Sequence, residues 1–382
     1  MPEYSRSDQT FYFRLFSLLT PCKNVYKSIS HMVKVGIIGF GYWGPNLVRN
    51  FNLASDCLVT GVADPRSDRL IQLGKLYSHI KGYKDANDLI NSKDVDAVVI
   101  ATPVSTHFEL AKKALLMGKH VLLEKPMASS VLEAEILIDL ADQMKVTLMV
   151  DHTFLYTGAV NKMKHLIDRG DLGTIKYLDS TRINLGLFQP DINVLWDLAP
   201  HDISILNYMV DEQPYSVNAT GITHTNNEIE NIAYLTVNYR SGFIAHFSCS
   251  WTSPVKLRTM LIGGDQKMIL YNDLEPTEKV KIYDSGYKHS RLEDKNKFLV
   301  DYRTGDINVP KLDTHEALLE MATDFISCIL TNKKPKSSSQ LGLEVVKILQ
   351  ASNTSIKNNG CEVVLEALHP EPKFAPDRIL TS

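Results

Sequence analysis

The stretch from Val33 to Gly44 constrains the fold of this 382-residue chain more than any other. Its first half is an apolar run that suits a strand buried on both faces of a parallel sheet. Its second half places Gly39, Gly41 and Gly44 in the G-x-G-x-x-G spacing, directly before a helix-like segment from Pro45 to Phe51. A dinucleotide pyrophosphate needs this order, because the glycines permit a tight turn, close approach of a phosphate and close packing of the helix on the strand. The stretch therefore predicts a Rossmann dinucleotide-binding domain.

The choice of dinucleotide is predicted from a second apolar run, Leu58 to Ala63, which ends in Asp64 about twenty residues past Gly44. Asp64 is placed to accept hydrogen bonds from an adenosine ribose diol, and it would repel a 2′-phosphate. NAD is therefore predicted over NADP, although Arg66 keeps NADP open. The alternative is an ordinary strand-to-helix turn followed by a solvated acid. The required order of strand, glycines, helix, second strand and acid argues against that alternative.

The order of apolar segments predicts two sheets. From Val33 to about Val150 short apolar runs alternate with amphipathic stretches, which is typical of a parallel sheet with helices on both faces. After Asp151 the segments lengthen, and Ala233 to Tyr239 with Phe243 to Cys249 predicts an antiparallel hairpin. The expected fold is α/β, with an N-terminal Rossmann doubly wound parallel sheet and a C-terminal α+β domain that carries a large, mostly antiparallel open sheet.

The expected domain boundaries follow from this change of pattern. We predict a Rossmann domain at 32–153, a sheet domain for substrate binding and oligomerisation at 154–335, and a C-terminal helix and tail at 336–382. Residues 1–31 are expected to be a poorly ordered extension or a consequence of start-site choice, because Met32 stands immediately before the first strand. One face of the open sheet must be hidden from water, and a second subunit of a homodimer or homotetramer is the simplest candidate.

The composition indicates a globular protein without a nucleic-acid or membrane footprint. The chain has 44% apolar residues, 22% charged residues and a net charge of −3. Its five cysteines are scattered, which favours buried thiols in a reducing compartment over disulfides or a zinc site. We therefore expect a cytoplasmic protein with no nucleic-acid partner, no membrane partner and no metal.

Further motifs follow the glycine loop in a fixed order, namely Ala101-Thr102-Pro103, His107, Glu124-Lys125-Pro126 and the run from Trp196 to Asp202. Together they resemble the Gfo/Idh/MocA oxidoreductases, the group of glucose-fructose oxidoreductase and inositol 2-dehydrogenase, from Val33 to roughly Cys361. The resemblance implies a Rossmann domain, a C-terminal sheet domain, dimers or tetramers built on that sheet, and hydride transfer at a sugar or cyclitol carbinol carbon.

Three residues are the candidates for the chemistry. Oxidising a secondary alcohol requires a base for the hydroxyl proton, and His201 suits this role near neutral pH. Lys125 can hold the oxygen, because it follows a strand and should share the ligand-binding rim with Gly39, Asp64 and Thr102. Asp197 lies four residues before His201, on the same face if the chain is helical there, and would orient the imidazole or bind a substrate hydroxyl.

Each candidate has a structural alternative. Pro200 is tolerated only in the first turn of a helix, so the helix should begin near Asp197, which could then be only an N-cap. His201 could be a helix-start histidine bonded to a backbone carbonyl, and Lys125 a solvated lysine at a strand end.

The remaining expected contacts fall into two groups. Cofactor contacts are expected from Gly39, Phe40, Gly41, Tyr42, Trp43, Gly44, Asp64, Arg66, Thr102, Pro103, His107, Glu124 and Lys125. Of these, His107 is interpreted as a helix-start residue near the nicotinamide, and Glu124 as a partner of the cofactor or of Lys125. Substrate contacts are expected from His152, Tyr156, Arg182 and Trp196, with core packing as the alternative for His152 and Tyr156. A pyrophosphate could also meet Lys256 or Arg258.

The substrate class is predicted by resemblance. The runs Gly41 to Leu47 and Asn193 to Asp202 resemble the family branch of nucleotide-sugar modification in surface polysaccharide pathways. Those enzymes oxidise a UDP-linked N-acetylated sugar at C3 so that an amino group can be installed. A free sugar or inositol stays open as substrate. Two non-enzymatic alternatives are an NAD-binding regulator, which the three catalytic candidates argue against, and an interaction module, which leaves the glycine loop unexplained.

Overall fold

The computed structural model describes residues 32–186, 188–225, 229–289 and 300–365. The predicted extension at residues 1–31 lies outside the described residues, as does the end of the chain from residue 366. The expectation that the extension is poorly ordered therefore stays a prediction.

The first sheet is parallel and is built from alternating strands and helices. Its elements are β1 (Val33–Ile38), α1 (Gly44–Leu53), β2 (Cys57–Ala63), α2 (Ser67–Leu76), β3 (Lys81–Tyr83), α3 (Ala86–Ile90), β4 (Ala97–Ile100), α4 (His107–Leu116), β5 (His120–Glu124), α5 (Val131–Met144) and β6 (Leu148–Asp151). The strand order is β3-β2-β1-β4-β5-β6, and all neighbours are parallel. Every residue of β4 is buried, because helices cover both faces of the sheet. The predicted doubly wound parallel sheet is confirmed.

The second sheet is larger and mostly antiparallel. The strands of this part of the chain and the helices around them are α6 (Gly158–Asp168), β7 (Ile175–Leu185), α7 (Val194–Met209), β8 (Ser216–Ile222), β9 (Ile232–Asn238), β10 (Ile244–Ser250), β11 (Thr252–Gly264), β12 (Met268–Asn272), β13 (Val280–Tyr283), β14 (Gly286–His289), β15 (Val300–Arg303), β16 (Ile307–Asn308), α8 (Ala317–Thr331), α9 (Ser339–Lys357) and β17 (Val363–Val364). Within the described part of the chain it has nine strands, in the order β16-β13-β12-β11-β7-β10-β9-β8-β17. Only β7 and β10 pair in parallel, while β14 and β15 form a separate pair. The predicted antiparallel open sheet is confirmed.

The predicted hairpin is also confirmed. Strands β9 and β10 pair antiparallel, with Val237 opposite Ala245 and Leu235 opposite Phe247. These four side chains are buried. The apolar alternation read from the sequence therefore marks the covered face of this sheet.

Helix α7 begins earlier than the sequence predicts. Asn193 caps it by accepting a hydrogen bond from the backbone N–H of Trp196 at 3.2 Å, so the expectation that the helix starts near Asp197, with Asp197 as its N-cap, is wrong. Pro200 lies inside the helix, where it cannot donate to the carbonyl of Trp196. Most of α7 is buried, and this packing outweighs the lost hydrogen bond.

The last two helices return the chain to the first sheet. In α8, the ring of Phe325 packs edge-on against Phe51 of α1, with centroids 6.3 Å apart. Just before α9, the backbone N–H of Val150 in β6 donates to the carbonyl of Ser337 at 3.2 Å. The chain between the helices thus lies along the outer edge of the parallel sheet.

Candidate active site

The glycine loop after β1 leaves room for a phosphate over Gly41. Gly39 has φ of +98°, and a Cβ atom there would lie 2.3 Å from the carbonyl oxygen of Ala101. A Cβ atom at Gly44 would lie 2.4 Å from the carbonyl oxygen of Gly39, so close packing requires glycine at both positions. At Gly41 the nearest atom would be Arg66 Nη2 at 3.7 Å. This loop, at the N-terminus of α1, fits a dinucleotide pyrophosphate.

Asp64 is held by hydrogen bonds that the sequence did not reveal. Its Oδ2 accepts from the backbone N–H of Phe40 at 2.8 Å and from Arg66 Nη2 at 3.0 Å. Its Oδ1 accepts from the backbone N–H and Nε of Arg66, both at 3.0 Å. Burial opposes ionisation, but these hydrogen bonds outweigh it and lower the pKa of Asp64. Both carboxylate oxygens thus have partners within the chain, and the contact of Asp64 with a ribose diol stays a prediction.

A wide cleft lies beside Asp64 at the carboxyl ends of the strands. Its volume is about 910 Å³, and its lining includes Gly41, Asp64, Arg66, Lys84 and Thr102. The cleft extends from the glycine loop to the residues after β4, which is where an open α/β sheet binds its ligand. It has the size and position for the adenosine half of a dinucleotide.

Lys125 connects the parallel sheet to α7. Its Nζ donates to the backbone carbonyl of Asp197 at 2.7 Å and lies 3.7 Å from Asp197 Oδ1. The other carboxylate oxygen, Oδ2, accepts from the indole Nε1 of buried Trp251 at 3.0 Å. Asp197 is therefore positioned against Lys125 and Trp251. Because an ammonium has three N–H groups, Lys125 keeps donor capacity for a ligand oxygen.

His201 lies in a positively charged, largely desolvated setting. Its ring meets Phe154 at a centroid distance of 5.0 Å, and the guanidinium carbon of Arg182 lies 4.9 Å from the same Phe154 ring. Burial, followed by the charges of Lys125 and Arg182, lowers the pKa of His201 well below its ordinary value. Its Nδ1 is buried without a hydrogen-bond partner among the described residues. His201 is therefore a neutral imidazole at neutral pH.

His152 is a second neutral imidazole near this cluster. It is 1% exposed, and both ring nitrogens lack partners among the described residues. Burial and then the charge of Lys125 lower the pKa of His152 to about 3. His152 lies close enough to His201 that protonation of one ring would disfavour protonation of the other.

Two carboxyl groups lie next to each other behind Lys125. Glu124 and Asp151 occupy the same register on neighbouring strands β5 and β6, and each carboxyl group influences the pKa of the other. Glu124 Oε1 and Asp151 Oδ2 have no hydrogen-bond partner among the described residues. A proton shared by the two carboxyl groups would satisfy both atoms, and we expect one there. Burial is the main cause that raises the pKa of Asp151 to about 6, and it raises the pKa of Glu124 well above its usual range.

This pair predicts the effect of pH on stability. Since both folded-state pKa values are raised, the stability that the shared proton contributes is complete below about pH 4 and is lost as pH rises through about 6 and beyond. Glu124→Gln supplies a permanent donor to Asp151, so we expect the variant to gain about 1–3 kcal/mol over the wild type between pH 5 and 8. The gain is measured by calorimetry, as the Tm of the variant and of the wild type at pH 5 and at pH 8. Glu278→Gln, at an exposed ion pair, is the control, and an equal pH dependence in both variants would contradict the shared proton.

Two protein-family models match this chain. The Gfo/Idh/MocA model described as an oxidoreductase family with an NAD-binding Rossmann fold matches residues 33–152, and the Gfo/Idh/MocA C-terminal domain matches residues 160–270. The chain belongs to the Gfo/Idh/MocA oxidoreductase family. The resemblance read from the motifs is confirmed, and so is NAD as the cofactor.

Several known members are similar over most of their length. A myo-inositol 2-dehydrogenase of Thermotoga maritima is 23% identical over 343 residues, covering 85% of this chain and 96% of that protein. A UDP-N-acetylglucosamine 3-dehydrogenase of Acidithiobacillus ferrooxidans is 29% identical over 236 residues, covering 61% and 71%. A crystal structure of an Agrobacterium radiobacter oxidoreductase with NAD⁺, L-tartaric acid and magnesium superposes with a TM-score of 0.73 at 18% identity, covering 88% and 99%. This last likeness shows the fold.

Three predicted cofactor ligands of this oxidoreductase have other partners. Both ring nitrogens of buried His107 lie near carbonyl oxygens, of Pro126 at 3.0 Å and Thr102 at 2.9 Å, so His107 joins two loops at the start of α4. The Phe40 side chain is buried in the core, and its N–H is bonded to Asp64. Glu124 bonds Asp151 and the backbone of Lys125. Glu124 Oε1 still lacks a hydrogen-bond partner among the described residues. Cofactor contacts by these three residues therefore stay predictions.

Two predicted substrate ligands are also occupied. The Tyr156 hydroxyl donates to Asp324 Oδ2 at 2.7 Å and accepts from the backbone N–H of Ser337 at 3.2 Å. Arg182 is buried and makes two hydrogen bonds to Asp202, at 2.9 and 2.7 Å. Both side chains are held by protein partners, and substrate contacts by either of them stay predictions. Tyr156 is a packing residue, and Arg182 acts on His201 through its charge.

Trp196 lies beside the cluster but faces a different cavity. Its indole is 5% exposed, and Nε1 has no partner among the described residues. It lines a cavity of about 240 Å³ together with residues that include Ser129, Asn193 and Glu230. A substrate contact by Trp196 therefore stays a prediction, as it does for His152.

Sequence reasoning missed the partners that position the site. Trp251 holds Asp197, Asp202 neutralises Arg182, and Asp151 lies beside Glu124. None belongs to a local motif. The pairing of β5 with β6 was the one signal from which a partner could have been predicted, because its register places Asp151 beside Glu124.

Two further observations on the described part of the chain concern membrane spans and cysteines. None of its helices is long and apolar enough to cross a bilayer. Its cysteines, Cys57, Cys249, Cys328 and Cys361, are free thiols. The cytoplasmic location stays a prediction.

Proposed function

We propose that this oxidoreductase oxidises a secondary hydroxyl of a sugar, in the first instance C3 of a UDP-linked N-acetylated sugar. The observation that carries the proposal is the meeting of two elements at Lys125. Its Nζ extends from the end of β5 to Asp197 on α7, and its charge is the largest electrostatic influence on His201 after burial. The proposal places this ammonium and the neutral imidazole of His201 in one site beside the nucleotide-binding edge.

His201 takes the hydroxyl proton in this mechanism. A base must be unprotonated before the reaction, and the lowered pKa of His201 keeps the ring neutral at working pH. The same charges make the protonated ring short-lived, so the proton is passed on readily.

Lys125 holds the oxygen as the proton leaves. Its Nζ is fixed by the Asp197 carbonyl, so the ammonium is already oriented when negative charge develops on the carbinol oxygen. Trp251 keeps Asp197 in place. When bound, NAD supplies the hydride acceptor, so that the carbinol loses a hydride from carbon and a proton from oxygen and becomes a ketone.

Two features support a nucleotide sugar. The UDP-N-acetylglucosamine 3-dehydrogenase is 29% identical to this chain over 236 residues. A further cation near His201, Arg258, has a side chain that is 36% exposed. Arg258 donates to Asp273 Oδ2 at 3.3 Å, which leaves part of its guanidinium for a phosphate oxygen. Function in polysaccharide biosynthesis belongs to this proposal.

A free polyol is the second candidate. Arg182, one of three cations that the sequence offered for a pyrophosphate, makes two hydrogen bonds to Asp202, which leaves fewer N–H groups for a phosphate. The myo-inositol dehydrogenase relative also matches over more of both chains.

The experiment that decides among these is a substrate panel. Purified protein is mixed with NAD and either UDP-N-acetylglucosamine, UDP-N-acetylglucosaminuronic acid, free N-acetylglucosamine or myo-inositol, and NADH absorbance is followed. We expect kcat/KM for a UDP-sugar to exceed that of the free sugar by about a hundredfold or more. A preference for inositol would select the second candidate. No turnover on any alcohol, despite NAD binding, would support the regulator hypothesis.

Assembly through the large sheet is also part of the proposal. Tyr234 and Ile244 project from β9 and β10 with exposures of 49% and 44%, on the side opposite the buried hairpin residues. A homodimer or homotetramer would cover this apolar surface.

A further inference from the structure

The Nδ1 atom of His201 has no hydrogen-bond partner among the described residues. A histidine that acts as a base is commonly held by a carboxylate or a carbonyl on the ring nitrogen that does not meet the substrate. The side chain of Asp197, four residues earlier on α7, contacts Lys125 and Trp251. The plane of the His201 ring therefore depends on packing contacts.

Phe154 makes the ring contact with His201. The two centroids are 5.0 Å apart and the ring planes differ by 62°, an edge-on arrangement that aromatic rings favour. Phe154 lies on the short 3₁₀ helix Thr153–Tyr156 that follows β6. Its carbonyl accepts from the hydroxyl of Thr157 at 2.8 Å and from the backbone N–H of Thr157 at 3.1 Å. These hydrogen bonds fix the backbone that carries the Phe154 ring.

The guanidinium of Arg182 packs against the same Phe154 ring. Its central carbon lies 4.9 Å from the ring centroid, within the range of a cation–π contact. Arg182 Nε and Nη2 both donate to Asp202, and the two side chains are only 5% and 6% exposed. Because two hydrogen bonds fix the guanidinium, it gives Phe154 a rigid surface to pack on.

We propose that Phe154 is a positioning residue that orients His201 for proton transfer, with the Arg182–Asp202 ion pair as its support. This inference rests on the role of base proposed above for His201. A base must direct its lone pair at the hydroxyl proton, and a ring that is free to turn does so for only part of the time. Phe154 restricts the ring without bonding to either of its nitrogens.

The surroundings of His201 give the direction of a second effect. Burial is the main reason why the pKa of His201 is low. The other causes are four neighbours that carry or can acquire positive charge, namely Lys125 after β5, Arg182 on β7, His152 after β6 and Arg258 on β11. Loss of the Phe154 ring should admit water and leave these charges in place. The pKa of His201 should then rise toward its ordinary value.

The test compares Phe154→Leu with Phe243→Leu. Phe243 is a matched control, because it makes an edge-on contact of the same centroid distance, 5.0 Å, with Tyr239 at the turn of the β9–β10 hairpin. In Phe154→Leu we expect kcat to fall by about ten- to a hundredfold, with KM changed by less than about twofold. The acid limb of its pH profile should move to higher pH. Phe154→Tyr keeps the ring and should retain most of the wild-type kcat, as should Phe243→Leu.

A measurement without turnover separates this inference from the proposed function. NMR titration of histidine-labelled protein, with the His201 signals assigned by their loss in His201→Gln, reports the ring current at His201 and its pKa. Phe154→Leu should shift these signals and raise the pKa, whereas Phe243→Leu should do neither. If the wild type oxidises no alcohol but the His201 signals depend on Phe154, the proposed function fails and the positioning of the ring stands.

Two results would overturn the proposal. The first is a Phe154→Leu variant with unchanged His201 signals and unchanged kcat. The second is a rise in KM at constant kcat, which would make Phe154 a substrate contact instead of a positioning residue.

Discussion

Replacing Lys125 by methionine is expected to lower kcat by about a hundred- to a thousandfold, with the NAD dissociation constant changed by less than about threefold. Methionine keeps an unbranched side chain of similar length but removes the ammonium that touches Asp197 and faces the site. The loss falls on the transition state, because negative charge on the carbinol oxygen exists only while the proton is leaving. Stopped-flow NADH absorbance and a separate NAD titration measure the two quantities.

The matched control for Lys125 is Lys164→Met. Its side chain has the same 18% exposure and also faces an aspartate, Asp168 at 2.8 Å, but it lies on α6, where the proposal gives it no role in the chemistry. We expect near-normal kcat in this control. Undiminished turnover in Lys125→Met would remove Lys125 from the mechanism, whereas a parallel loss of NAD affinity would assign it to cofactor binding.

His201→Gln is expected to reduce kcat/KM for alcohol oxidation by about a hundred- to ten-thousandfold. Glutamine has a similar polar reach but cannot accept a proton at neutral pH. The pH profile gives a second readout. Because the pKa of His201 is lowered, the neutral base is present at and above pH 6.5, and the rate should fall only as pH drops below that value. This acid limb should be absent from His201→Gln.

Burial raises the pKa of Asp151 to about 6, so the effect of this carboxyl group on the rate must be separated from that of His201. Glu124→Gln changes the carboxyl pair but leaves His201 in place. If its acid limb moves while that of His201→Gln persists, the titration belongs to the carboxyl pair and His201 is not the base. His165→Gln, an exposed histidine on α6, should retain the wild-type profile.

The fold could be predicted because its signals are local. Gly39 and Gly44 are required by contacts within a few residues or with the next strand, so their spacing alone marks the turn. The hairpin of β9 and β10 follows from alternation on both sides of one turn. Helix α7 shows the limit of such local signals. The rule that proline is tolerated only in the first turn of a helix, applied to Pro200, predicted a start near Asp197, but the helix is capped by Asn193. Buried packing along the helix decided that case.

The candidate site could be predicted only as a set of residues. Lys125, Asp197 and His201 were found from motifs, but their partners come from distant strands. Arg182 bonds Asp202 across 20 positions, and Trp251 reaches Asp197 across 54. Asp64 and Arg66 are two positions apart, yet sequence does not say whether such side chains turn toward each other or toward a ligand. Partner choice depends on tertiary packing, which no short pattern contains.

The attachment of Ser337 to the edge of β6 limits how the protein can be divided. Besides the Val150–Ser337 backbone bond, Met149 forms a bridge with Ser338, and Phe325 covers Phe51 from outside. A fragment that stops at Asp151 would contain all the dinucleotide-binding motifs, but it would expose the unpaired edge of β6 and the ring of Phe51. Such a fragment should self-associate when expressed alone, so the minimal independently folding unit includes the chain as far as α9.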